Sequence, residues 1–117
     1  MKIIYMNKAY ECQLDDNLLT QSLVKSLPVT LTLMRAEDHE YYGSLPQDMD
    51  VTNVPTTSYV DEGGIYYFKA WNAFSLNFNA LDINPYKVQI IGTMDQQLTQ
   101  LLKKAPKKID ITLENNE

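Results

Sequence analysis

Gly63-Gly64-Ile65-Tyr66-Tyr67-Phe68-Lys69-Ala70-Trp71-Asn72-Ala73-Phe74-Ser75-Leu76-Asn77-Phe78 carries two strand signatures in succession. The glycine pair breaks the chain, and Ile65–Ala70 is then apolar almost throughout, as a strand covered on both faces would be. Trp71-Asn72-Ala73 reads as a turn. Phe74, Leu76 and Phe78 then alternate with Ser75 and Asn77, the period-2 mark of a strand with one apolar face.

The same alternation recurs on either side. Upstream, Val29, Leu31 and Leu33 alternate with Thr30 and Thr32, and Tyr10, Cys12 and Leu14 alternate with Glu11 and Gln13. Lys2–Met6 and Lys8–Leu14 pair as strands around Asn7. Glu40–Pro46 reads as a short strand running into a turn. Downstream, Asn84-Pro85 marks a turn, Lys87–Ile91 a strand ended by Gly92, and Ile109, Ile111 and Leu113 a last strand. Between these lie two amphipathic helices. Asp15, Asp16 and Asn17 offer caps for a stripe of Leu19, Leu23 and Leu27, widened by Leu18 and Val24 and stopped by Pro28. Thr93 with Gln96 matches a capping box, ahead of a stripe of Met94, Leu98, Leu101, Leu102 and Ala105 that Pro106 ends. The tail Asn115-Asn116-Glu117 is expected to fray.

About eight short strands and two helices in 117 residues imply a single domain, 1–117, of the mainly β class. Closure into a barrel removes the exposed edges that so many strands would otherwise leave. The expected architecture is therefore a closed eight-stranded β-barrel with two capping α-helices. Leu23, Leu31, Leu76, Leu98 and Ile111 are its expected core markers.

Composition excludes several classes of function. Net charge is −5, and the seven acids between Glu37 and Glu62 meet no Lys or Arg there. Arg35 is the only arginine, and no basic stripe offers a footprint for nucleic acid. No apolar run approaches the ~20 residues of a membrane span. The start, Met1–Lys8, turns polar too early for a signal peptide, and a single cysteine excludes an intrachain disulfide; both point to the cytoplasm. One cysteine and one histidine leave little material for a metal site or a Ser/His machinery, so no metal and no cofactor is expected. Gly63-Gly64 precedes a strand, the wrong context for a phosphate loop.

Few residues remain as candidates. Cys12 lies on the apolar side of a strand and reads as a buried, inert thiol. His39 sits among Glu37, Asp38 and Glu40 and reads as an exposed loop residue. Arg35 is either an anion or carbonyl anchor or, more commonly for a lone Arg beside acids, a solvated surface residue. Gln47–Glu62 has little periodicity and reads as a long acidic loop, a mobile flap with few apolar contacts. Trp71 stands at a turn, where its large ring lacks a full shell of neighbours. With Asn72, Phe74 and Phe78 it defines a candidate binding groove, to which Arg35 is added as the lone anchor.

The ordered strings Leu27-Pro28-Val29-Thr30-Leu31-Thr32-Leu33, Tyr42-Gly43-Ser44-Leu45-Pro46, Gly64-Ile65-Tyr66-Tyr67-Phe68 and Ile90-Ile91-Gly92-Thr93-Met94 resemble a family of small prokaryotic cyclophilin-like proteins. The resemblance spans nearly the whole chain and implies the cyclophilin barrel with a helix at each end. It also implies where prolyl isomerase chemistry would lie: an arginine in a Phe-His-Arg run, an aromatic pocket for the proline ring, and a rim histidine four residues before a glycine resembling Gly92. That run is missing, Arg35 lacks its flanks, and the rim position holds Val88. The expectation is a non-catalytic module binding a peptide or small molecule. A diverged peptidyl-prolyl isomerase is the alternative, and a structural role as a homo-oligomer a third class.

Overall fold

A computed structural model describes residues 1–116; Glu117, the end of the tail expected to fray, lies outside the described residues. In chain order the elements are β1 (Lys2–Tyr5), β2 (Lys8–Leu14), α1 (Leu18–Ser26), β3 (Val29–Ala36), β4 (Glu40–Ser44), β5 (Thr56–Thr57), β6 (Tyr59–Val60) and β7 (Gly64–Phe68). A 3-10 turn, Lys69–Trp71, leads into β8 (Ala73–Asn77), β9 (Leu81–Asp82), β10 (Val88–Met94), α2 (Gln96–Leu102) and β11 (Lys108–Glu114).

Eight strands run in the antiparallel order β2-β1-β11-β3-β4-β8-β7-β10, and a further β10–β2 pairing closes the ring. The mainly β closed barrel expected from the patterning is the fold. At the closure Gly92 faces Leu14, Thr93 faces Gln13 and Met94 faces Cys12. A side chain at position 92 would collide with the Gln13 carbonyl and stand 2.9 Å from the Leu14 Cα, so the position requires glycine. The ladder between β10 and β7 slips between Ile90 and Gly92, an irregularity that lets β10 turn from one partner to the other.

The interior is one apolar cluster. Phe74 and Leu76 of β8 enter it beside Tyr41, Ile65, Ile91 and Leu113. All five core markers are buried. Leu19 and Leu23 of α1 and Leu98 and Leu102 of α2 join the same cluster, so each helix lays one apolar stripe on the barrel. Leu18 and Leu101, assigned to those stripes from spacing, face solvent instead. Cys12 is buried, and burial pushes its thiol up to about 12, which leaves it inert at neutral pH.

The helix caps follow short-range chemistry. Asn17 accepts from the Thr20 amide at 2.9 Å, and the Thr20 hydroxyl accepts from the Asn17 amide at 3.2 Å, a complete capping box. The second helix is capped by Asp95, whose carboxylate accepts from the Gln97 amide at 2.7 Å, not by Thr93. Thr93 is held in the extended ladder by Gln13 and Gly64, so its backbone is not free to cap.

The segment Gln47–Glu62 is not a solvated flap. Met49, Val54 and Val60 are buried, and Thr56–Thr57 pair with Val88 and Gln89. The Gln89 side-chain amide donates to the Val54 carbonyl at 3.0 Å. Tyr59-Val60 pairs with Leu81-Asp82 in a small second sheet, an arm standing off the barrel. Val60 packs there with Tyr66 and Val88, and with Phe68, Ile83 and Ile90, in a second, smaller core outside the barrel. Three isolated apolar residues carry no periodicity, yet each one buried anchors the loop.

Leu76 sits at the centre of β8 with no exposed surface. Leu76→Ala should destabilise the protein by about 2–5 kcal/mol, read from denaturant unfolding.

Candidate functional site

Outside the barrel, between the outer faces of β4 and β8 and the β6–β9 arm, lies a groove of about 530 Å³. Its floor is built by register. Glu40 faces Asn77 and Tyr42 faces Ser75 across the β4–β8 ladder, and these four side chains, with Ala73, point away from the core and line the groove. Val60, Leu81, Asp82 and Ile83 form the arm-side wall. The β3–β4 turn closes one end with Ala36, Glu37 and His39. That turn is tied to the end of β8, because the Phe78 amide donates to the His39 carbonyl at 2.8 Å and the Asn79 side chain donates to the Asp38 carbonyl at 2.6 Å.

Two polar residues of the floor are nearly closed to bulk water. Asn77 is 1% exposed and Ser75 5%. The Asn77 side-chain amide donates to the Ser75 hydroxyl at 3.3 Å, while the Asn77 Oδ1 is a buried acceptor without a partner among the described residues. The Glu40 carboxylate stands 3.4 Å from the His39 Nε2. Burial pushes the Glu40 carboxyl above its ordinary value, against the opposing pull of His39 and of the Ser75 hydroxyl beside it. The carboxylate stands between imidazole and hydroxyl. A nucleophilic triad needs the imidazole in the middle, so this arrangement suits recognition better than acyl transfer.

The other end of the groove is aromatic. Phe68 meets Trp71 edge-on at 5.4 Å and Tyr86 edge-on at 6.2 Å, and Tyr42 lies 6.1 Å from Trp71 between ring centres. Trp71 is 64% exposed, far more than a ring capping a core would be. Asn72 aims it. With φ of +49° Asn72 adopts the left-handed conformation that Asn tolerates, and its amide donates to the Leu45 and Gln47 carbonyls at 3.1 and 2.9 Å. The Tyr67 hydroxyl donates to the Asn72 side-chain oxygen, so the 3-10 turn carrying Trp71 is locked to the barrel rim.

The Cyclophilin-like family matches residues 3–114. The chain belongs to the Cyclophilin-like family. A solved structure similar to it is the solution structure of a hypothetical protein from Archaeoglobus fulgidus. The TM-score is 0.67 and the identity 19%, over 98% of this chain and 92% of that one. No curated protein matches the chain. The archaeal likeness carries the fold alone.

Against this cyclophilin-like frame the residues singled out from sequence fall into three groups. Trp71 lines the groove. Asn72 positions it from behind. Phe74, Phe78 and Arg35 do not line the groove. Phe74 and Phe78 point into the barrel core, the inward half of the β8 alternation. Arg35 Nη1 donates to the Leu102 carbonyl at 3.0 Å and to the Tyr41 hydroxyl at 3.1 Å, Nη2 donates to the Lys103 carbonyl at 3.3 Å, and the guanidinium lies 4.4 Å from the Phe78 ring centre. It caps the carbonyl end of α2, where positive charge meets the dipole. Val88, at the place of the rim histidine, is one of the groove's apolar walls. Among the described residues no group of three His, Cys, Asp or Glu side chains could hold a metal, and no helix is long and apolar enough to cross a membrane.

Glu40, Ser75 and Asn77 were not among the sequence candidates, and His39, read from sequence as an exposed loop residue, is instead largely buried beside Glu40, its side chain 15% exposed. Alternation assigns Ser75 and Asn77 to an outward face, and outward ordinarily means solvent. The usable signal was next door: an all-apolar β7 demands cover on its outer face, and whatever covers β7 also shades its neighbour β8.

Two outcomes follow from this geometry. Arg35→Ala should lower stability by about 1–3 kcal/mol in denaturant unfolding, while Trp71 emission stays red-shifted and accessible to quencher. For Glu40, the folded protein holds the proton more tightly than the unfolded chain. Stability is therefore fully present below the ordinary value of 4.5 and falls as pH rises toward the raised one. In a His39→Asn background, which removes the imidazole beside the carboxylate, Glu40→Gln should abolish this decline. Thermal midpoints between pH 4 and 8, compared with and without the substitution, read it directly.

Proposed function

We propose that this chain is a non-catalytic binding protein that takes a peptide or small molecule in the β4–β8 groove. One observation carries the reading: a buried acceptor, Asn77 Oδ1, is left without a partner on the floor of an aromatic-walled groove. An unsatisfied buried polar group costs about 1–3 kcal/mol, and a ligand donor would recover it. The volume, about 530 Å³, falls within the range of small-ligand sites, and the mix of aromatic walls with a few fixed polar groups is what such sites use.

Isomerase chemistry has less support. Stabilising a twisted prolyl amide requires a fixed donor aimed at it. The lone arginine is committed to the end of α2, and no Lys or Arg is among the described residues lining the groove. The same acidic lining favours no nucleic-acid partner. A cytoplasmic location belongs to this proposal, on the single thiol, which permits no intrachain disulfide.

The purified protein should show no acceleration of X-Pro isomerisation in a protease-coupled assay. Robust catalysis that is lost in Trp71→Ala or Glu40→Gln would replace the binding reading with the diverged isomerase. Ligand binding itself is read by Trp71, the only tryptophan, whose exposed ring should blue-shift and lose quencher access on occupancy.

A further inference from the structure

We infer that the groove recognises a cation on an apolar stem, an ammonium or guanidinium group of the kind a lysine or arginine side chain presents. This rests on the binding reading above and names the ligand class for the same site.

Charge complementarity is the first argument. Glu37, Glu40 and Asp82 line the groove, and no Lys or Arg among the described residues opposes them. A carboxylate in water gains little from an ion pair, but Glu40 is partly buried, with His39 as its only ion-pair partner among the described residues. A ligand cation reaching it would meet a charge already partly stripped of water, where attraction is stronger than at an exposed site.

The hydrogen-bond inventory is the second argument, and it is independent of charge. Asn77 Oδ1 accepts only, and it is the buried side-chain polar atom left without a partner among the described residues. Glu40 Oε2 is also an acceptor whenever ionised. The floor's wholly unpartnered side-chain atom is therefore an acceptor, which calls for a ligand donor. Ammonium carries three donors and guanidinium five, and neither carries an acceptor. An anionic ligand would bring acceptors against acceptors.

The aromatic end supplies the third. Trp71, Tyr86 and Tyr42 flank the acidic floor, and Trp71 and Tyr86 are both mostly exposed. Such faces attract cations and pack well against methylene stems, with Trp the strongest. Apolar stem along the aromatics and cationic head at Glu40 and Asn77 is the arrangement that satisfies both ends.

The test uses the full chain and four fragment probes: N-acetyl-arginine amide, N-acetyl-lysine amide with a free side-chain amine, the neutral isostere N-acetyl-citrulline amide, and N-acetyl-glutamate amide. Agmatine provides the same guanidinium without a peptide unit. Backbone and side-chain amide shifts and Trp71 emission are followed in titrations at low salt. The expected result is a saturating response to the arginine and lysine probes at Asn77, Glu40 and the Trp71 indole. Citrulline should bind about tenfold or more weakly, as loss of a partly desolvated charge pair implies, and glutamate should not bind. Glu40→Gln should weaken the arginine probe to a similar degree. Asp82→Asn, at an exposed rim position that keeps its turn hydrogen bond to the Asn84 amide, should weaken it less than threefold and lose that effect at high salt. Agmatine matching the arginine probe would assign a free amine as the source, and a clear preference for the arginine probe would assign a peptide. Citrulline or glutamate binding as tightly as arginine would overturn this inference and leave the binding reading standing. No groove response to any probe would overturn both.

Discussion

Strand β10 leaves β7 and reaches β2 within seven residues, and the barrel closes because Gly92 lets two backbones meet there. A Cβ at that point would occupy the Gln13 carbonyl's place. Were the approach blocked, β2 and β10 would each present an unpaired edge, and the ring would open into a sheet whose apolar face no longer had an inside. The packing of Phe74, Leu76 and the helix leucines presupposes that ring, and so does the position of the groove on its outer wall.

A closed barrel has a dry inside and, by default, a wet outside. This one departs from the default along β7 and β8. Tyr66 is buried on the outer face of β7, and the arm of β6 and β9 with Val60 and Ile83 covers it. The arm earns its place hydrophobically, but its effect on β8 is electrostatic. It shades Ser75, Asn77 and Glu40 from water, and one acceptor among them, Asn77 Oδ1, is left without a partner among the described residues. Proteins rarely tolerate such groups unless something else completes them. The groove exists because the cover spans β7 and falls short of sealing β4 and β8.

Much of the fold was legible. Alternation in Val29–Leu33, Phe74–Phe78 and Ile109–Leu113 identified strands whose inward residues form the core, and cap and proline bounded the first helix within a residue or two, whereas the second stops at Leu102, short of Ala105 and Pro106. The misreadings share a cause. Leu18 and Leu101 fit a helical stripe by spacing, but a helix seven or nine residues long lying on a barrel buries only its central line. Thr93 fits a capping box, but ladder pairing to two neighbours took its backbone first. Gln47–Glu62 shows no period because its contacts are long-range and single, Met49 and Val54 in the main core and Val60 against Tyr66 and Val88 outside it. Local pattern cannot report contacts made one residue at a time. The site was the least legible part, since its polar floor is defined by a cover drawn from elsewhere in the chain.

Arg35 and Trp71 divide the question of function between them. Both are single in this sequence, and each could have been an anchor. The guanidinium has found its acceptors inside the molecule, on the carbonyls at the end of α2, and packs over the ring of Phe78, so its donors are committed within the fold. Trp71 meets Phe68 edge-on and Tyr42 at a tilt and leaves most of its surface in water. The Asn72 network holds that ring in place at the cost of a left-handed backbone. A fold that needed Trp71 merely as filling could have turned it inward, or set a smaller residue at the turn. Fixing an exposed indole rigidly beside an acidic, donor-seeking floor lowers the entropy lost when a ligand settles against it. On the binding reading proposed above, the arginine serves stability and the tryptophan serves recognition, which is the reverse of what an isomerase anchored on its arginine would require.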